Sequence, residues 1–147
     1  MAGIISAGLI YKLSSEKLKK EKELNRKNDQ ILKLYNQWMQ LKQEGKTVAK
    51  YLKELGYNSI AIYGLHYLGQ NLLEELNNSD IEVRYAIDRN AENIDTDISV
   101  YTMDDELLPV DAVIVTAFYF FDDIEEALSD KVSCEIISFE DILYEMY

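Results

Sequence analysis

Apolar positions along the chain follow two different periods, and the change between them falls near residue 56. From Leu24 to Leu41 the positions Leu24, Ile31, Leu34, Trp38 and Leu41 keep the three-and-four spacing of one helical face, interrupted by Lys27. They predict a helix over about residues 24–43. Gly45 and Lys46 break that pattern, and Thr47 is placed to cap a short helix over about 47–55. Its Val48, Tyr51, Leu52 and Leu55 share a face before Gly56 stops it. Beyond Gly56, short branched apolar runs alternate with helical spacing. Residues 59–63, 81–87, 98–101, 111–116 and 135–138 read as strands. Leu68, Leu72, Leu73 and Leu76 mark a helix that Asn77 and Asn78 end. Asp122 is positioned to cap a helix through Ile124 and Leu128, and Ser138 with Asp141 to open a last one holding Ile142, Leu143 and Met146. Alternation of strand and helix demands parallel strands. Right-handed crossovers then give the order 3-2-1-4-5. The expected fold is α/β, a doubly wound parallel sheet over residues 57–147, preceded by a helical arm over residues 1–56.

Charge divides the chain at the same place. Residues 1–56 hold 12 Lys and Arg against 6 Asp and Glu, while residues 57–147 hold 3 against 21. An acidic body of this kind repels nucleic acid and anionic lipid, although simple solvated charge accounts for it equally well. The basic arm suits an anionic membrane surface or the acidic bodies of neighbouring copies. An apolar fraction of 48% with 29% charged residues is enough for a globular core. One cysteine, Cys134, and one histidine, His66, leave no cluster of soft ligands. That argues against structural zinc and iron–sulfur sites and for a reducing, cytoplasmic setting.

The run from Met1 to Tyr11 is uncharged, and Lys12, Lys17, Lys19, Lys20 and Lys22 follow it. No basic stretch precedes the run and no small-x-small cleavage site follows, so it does not read as a secretory signal. It has roughly half of the ~20 apolar residues that a membrane span needs. Two readings stay open. One is a peripheral membrane contact through residues 1–22, with Ile4, Ile5, Leu9 and Ile10 in lipid and the lysines at the headgroups. The other is a terminus that frays or packs on a protein partner, and homo-oligomerisation through the N-terminal helices fits it.

The most specific local feature is Ile62-Tyr63-Gly64-Leu65-His66-Tyr67-Leu68-Gly69, in which a strand enters a helix through a turn bracketed by glycines, followed by Ala86-Ile87-Asp88-Arg89 at the end of the second strand. Here the chain resembles the Rossmann-like NAD(P)- and nucleotide-binding domains, whose G-x-G-x-x-G turn matches at Gly64 and Gly69 and whose ribose-binding acid matches at Asp88. It is similar, more loosely, to small modules found alone or appended to bacterial glycosyltransferases and surface-polysaccharide proteins. The resemblance implies phosphate held around Gly64, Leu65, His66 and Gly69 and ribose on Asp88, with Arg89 able to accept a 2′-phosphate. The middle glycine of the fingerprint is replaced by His66. A β-carbon and an imidazole there occupy the path by which phosphate approaches the backbone. His66 reads either as an anion contact or as an ordinary loop histidine in a vestigial site.

Thr116-Ala117-Phe118-Tyr119-Phe120-Phe121 ends the fourth strand, beside the first at the topological switch point. Thr116, Ala117 and Tyr119 are therefore candidates for the remainder of a ligand, and the aromatic run 118–121 for a protein interface. No Tyr-x-x-x-Lys pair, G-x-x-x-x-G-K-[ST] loop or G-x-S-x-G elbow occurs. Adjacent acids such as Asp104 and Asp105, or Asp122 and Asp123, read as caps and solvated surface, so neither a catalytic residue nor a metal site is expected. The expected function is binding of a nucleotide, dinucleotide or nucleotide sugar, NAD(P) included, without independent catalysis and as an accessory to surface-polysaccharide biosynthesis. The alternative is an interaction or oligomerisation scaffold whose nucleotide site is vestigial.

Overall fold

The computed structural model describes residues 6–147. These form helix α1 (Ala7–Gln43), α2 (Val48–Glu54), β1 (Ser59–Tyr63), α3 (Tyr67–Leu76), β2 (Glu82–Ile87), β3 (Ser99–Tyr101), β4 (Ala112–Val115), α4 (Phe121–Ser129), β5 (Glu135–Ser138) and α5 (Phe139–Met146). Two compact units divide after Gln37.

In the first unit α1 is already helical at Ala7, well ahead of the predicted start near residue 24. Ser6 caps it, its hydroxyl accepting from the Leu9 amide at 3.2 Å. The intervening residues are mostly Lys, Glu, Leu and Ser, without a proline and with no glycine after Gly8, so local propensity carries the helix. Asp29 and Lys33 pair one turn apart at 3.0 Å. Residues 6–26 are exposed on every side and pack no apolar stripe, so periodicity does not report their helix. Ile4 and Ile5, expected to enter lipid, lie outside the described residues. Among the described residues no helix is long and apolar enough to cross a membrane.

The second unit is built on a parallel sheet in the order β3-β2-β1-β4-β5, an arrangement compatible with a Rossmann-like fold. β4 sits next to the centre and all four of its residues are buried, as a strand covered on both faces requires. Ala61 pairs with Tyr85 and Val113, and Ile62 with Ala86 and Ile114. Side chains alternate between faces. Ala61, Tyr85, Ile87, Val113 and Val115 thus share one face, on which Ile124 and Leu128 of α4 pack. Ile60, Ile62 and Ile114 point to the other face and are fully buried. No helix joins β3 to β4, and Met103, Leu107 and Val110 of that connection cover the α4 side instead. Tyr85 is fully buried there and donates to the Leu108 carbonyl at 2.8 Å. Burial pushes its phenol up to about 12.

Thr47 caps α2 as expected, accepting from the Lys50 amide. Asp122 does not cap α4. A 3-10 turn over Phe118–Phe120 runs straight into α4 at Phe121, and Asp122 and Asp123 fall in its first turn, where their charge complements the helix dipole. Ser138 holds the N-cap position of α5, but its side chain makes no capping bond.

Two carboxylates tie the helices and strands together. Glu75 on α3 is 7% exposed and accepts from Trp38 Nε1 at 3.1 Å, Lys42 Nζ at 2.6 Å and the Val48 amide at 3.2 Å. One side chain thereby holds the end of α1 and the start of α2 against α3, while Trp38 meets Phe139 edge-on at 4.9 Å. Asp111, just before β4, accepts from the Asn58 and Ser59 amides at 2.7 and 3.0 Å and aligns the amino ends of β1 and β4. These amides hold its carboxyl below the ordinary aspartate value.

Glu75→Gln should lower stability by about 2 kcal/mol, because charge-assisted bonds to partly buried donors are lost, and a shift of the urea midpoint at unchanged slope measures it. Asp111 binds its proton less tightly folded than unfolded. Its stabilising contribution is present above the ordinary aspartate range and is lost as pH falls through the lowered value. Unfolding curves of the native chain and Asp111→Asn should therefore differ at neutral pH and converge in acid.

Candidate functional site

β1 ends at Tyr63, and Gly64 follows at φ 92°, a left-handed conformation that only glycine adopts without strain. The Gly64 amide donates to the Ile87 carbonyl at 2.8 Å, which extends the β1–β2 pairing by one residue. α3 then starts so close to the strand that a β-carbon on Gly69 would lie 2.0 Å from the Gly64 carbonyl oxygen. Only hydrogen fits there. Buried Thr116, immediately after β4, donates its hydroxyl to the same carbonyl at 2.6 Å, with the Tyr63 oxygen 3.1 Å away. A β-carbon on Gly64 would in turn meet that hydroxyl at 2.7 Å.

Asp88 closes the assembly from β2. Its Oδ2 accepts from the Leu65 amide at 2.8 Å and its Oδ1 from the Asn90 amide at 2.9 Å. Gly64, Leu65, Gly69, Asp88, Thr116 and Ala117 are thus brought together at the carboxyl ends of β1, β2 and β4. Leu65 contributes an amide and a fully buried side chain. His66 holds the N-cap position of α3, is exposed, and lays its ring 4.2 Å from that of Tyr67. No side chain caps this helix. Its first backbone bond runs from the Gln70 amide to the His66 carbonyl at 2.9 Å, so the amides of Tyr67, Leu68 and Gly69 precede any intrahelical acceptor. Arg89 is exposed beside Asp88, while Tyr119 and Phe120 are 37% and 50% exposed in the turn after β4, where Phe118 turns inward.

The chemistry available here is hydrogen bonding. The free amide edge of a helix start favours an anion, and each Asp88 oxygen keeps a further lone pair for a hydroxyl.

No family model, no curated protein and no solved structure matches the chain.

A concavity of about 630 Å³ opens away from the Gly64 turn, along α4 and the start of β5, lined by five carboxylates (Asp111, Asp122, Glu125, Glu126 and Glu135) with Ser129, Ser133 and Cys134. No cation lines it, so it disfavours phosphate. Burial pushes the Cys134 thiol up, away from the reactive thiolate. Among the described residues no three His, Cys, Asp or Glu side chains gather as metal ligands.

Sequence reasoning passes over the structural duties of Asp88 and Thr116. Their bonds run to backbone groups, which carry no residue signature, and the short polar residue at each strand end is the one sign available. Gly69→Ala should cost about 3 kcal/mol, because the added methyl would collide with the Gly64 backbone, which cannot swing aside as a side chain can. Thermal unfolding would measure it, and a loss under ~0.5 kcal/mol would mean that helix and strand separate easily.

Proposed function

We propose that the protein binds a nucleotide, dinucleotide or nucleotide sugar at the carboxyl ends of β1, β2 and β4, without catalysis of its own. The observation that carries this reading is the meeting of the uncapped start of α3 with Asp88 across the Gly64 turn. Phosphate would take the Tyr67 and Leu68 amides, ribose hydroxyls the remaining lone pairs of Asp88, and a 2′-phosphate Arg89. Thr116, through its bond to Gly64, would keep the turn in shape rather than touch the ligand. NAD(P) and nucleotide sugars both fit this chemistry. A role as accessory to a glycosyl-transferring or surface-polysaccharide system rests on the likeness noted in the sequence, and the single half-buried Cys134 agrees with a reducing, cytoplasmic setting.

A specific observation favours a second reading. Both Asp88 oxygens already hold backbone amides, and Tyr119 and Phe120 present aromatic surface nearby in sequence to Thr116. In that reading the acid serves only the loop, the site is vestigial, and the aromatic turn is an interface of a scaffold protein or homo-oligomer.

Thermal shift against NAD, NADP, ATP and a panel of nucleotide sugars separates the two. A cognate ligand at about 100 times its Kd should add about 2.7 kcal/mol, or roughly 10 °C in a domain of this size. Asp88→Asn should remove that ligand-dependent rise. No shift for the native chain, but one in His66→Gly, would mark a site closed by the histidine and favour the scaffold.

A further inference from the structure

Every residue from Ser6 to Arg26 is exposed although α1 is helical throughout. Most helical stability in proteins comes from packing an apolar face, and this stretch packs none. The arrangement of its apolar residues indicates what kind of surroundings suit it. Leu9, Ile10 and Tyr11 are consecutive, at 100° steps around the axis, and Leu13 lies one turn beyond Leu9. All four are 47–77% exposed. These first turns are apolar around most of their circumference. A partner helix covers one stripe and leaves the rest wet, whereas hydrocarbon surrounds a helix on all sides.

Two further features separate lipid from a second copy of the arm. Extending the Leu24–Leu41 seam backward by heptads puts Lys17 and Lys20 on it, beside the interruption at Lys27, so paired arms would set lysine against lysine. Lys12 lies among the apolar turns and Lys17, Lys19, Lys20 and Lys22 follow them, five lysines against Glu16, Glu21 and Glu23, where headgroup phosphates would lie. Ala7 to Leu13 span about 10 Å of helix, a depth that reaches the acyl boundary and falls far short of the ~30 Å hydrocarbon core.

We infer that the first turns of α1 seat the protein on an anionic lipid surface, the apolar turns entering the bilayer and the lysine collar holding the headgroups. The acidic charge of residues 57–147 opposes that surface and confines the contact to the arm.

Flotation of the full chain with vesicles of phosphatidylcholine alone, or mixed with phosphatidylglycerol, tests this. The native protein should float with the mixed vesicles only. Leu9→Ser combined with Ile10→Ser should leave it in solution, and replacing Lys17, Lys19 and Lys20 by Gln should weaken binding about a hundredfold, at about fivefold per charge. Melting temperatures should stay unchanged in both variants, since the altered side chains are exposed. Failure to float with either vesicle, or equal flotation with both, would overturn the inference. So would a lipid-free oligomer that the Leu9 and Ile10 changes dissociate, which would assign these turns to a second copy of the chain.

Discussion

The contact between Gly69 and the Gly64 carbonyl sets the geometry on which the α/β unit depends. Because α3 meets β1 with no space for a methyl group, the turn between them has one path, and that path requires Gly64 in a left-handed conformation. The Thr116 hydroxyl then finds the Gly64 carbonyl within reach, and Asp88 finds the Leu65 amide. Three strands are locked at their carboxyl ends by backbone groups that would otherwise be buried without partners, a situation that costs far more than the bonds themselves contribute.

At the amino ends Asp111 does the corresponding work, joining the entries to β1 and β4 through two amides. Glu75 does it between helices, where a single carboxylate receives an indole, an ammonium and a backbone amide. All three acids accept from the main chain. Residues 57–147 hold 21 acidic side chains against 3 basic ones, and backbone amides supply donors that so few basic side chains cannot. Fixing an acid on an amide also relieves part of the like-charge repulsion in the compact state, because the amide dipole faces it.

This economy bears on function. On the proposed reading, the groups that would hold a ligand are the ones that hold the turn, so binding and folding would be linked at Asp88. A ligand arriving there would add partners to an acid that is already oriented, which would lower the ordering cost of association. The same link means that a chain could keep Gly64, Gly69 and Asp88 for stability alone. The exposed face of the site, where His66 stacks on Tyr67, decides between these outcomes more than its framework does.

The sequence by itself determined the sheet order, the turn at Gly64 and the stops at Gly45 and Gly56, because strands buried on both faces, β-branched runs and glycines leave local marks. It also marked Asp88 and Thr116 as residues at strand ends. What it left unread was everything decided by proximity. The start of α1 escaped because residues 6–26 pack no apolar stripe, and Asp122 passed for a cap because a 3-10 turn upstream of it has no sequence sign of its own. Nothing in the sequence sets Glu75 apart from the other acids, and only in the fold do Trp38, Lys42 and Val48 converge on it. Only the tertiary structure assigned Asp88 and Thr116 to backbone partners, since a carboxylate or hydroxyl is the same in sequence whether it faces a ligand, solvent or an amide from a distant strand.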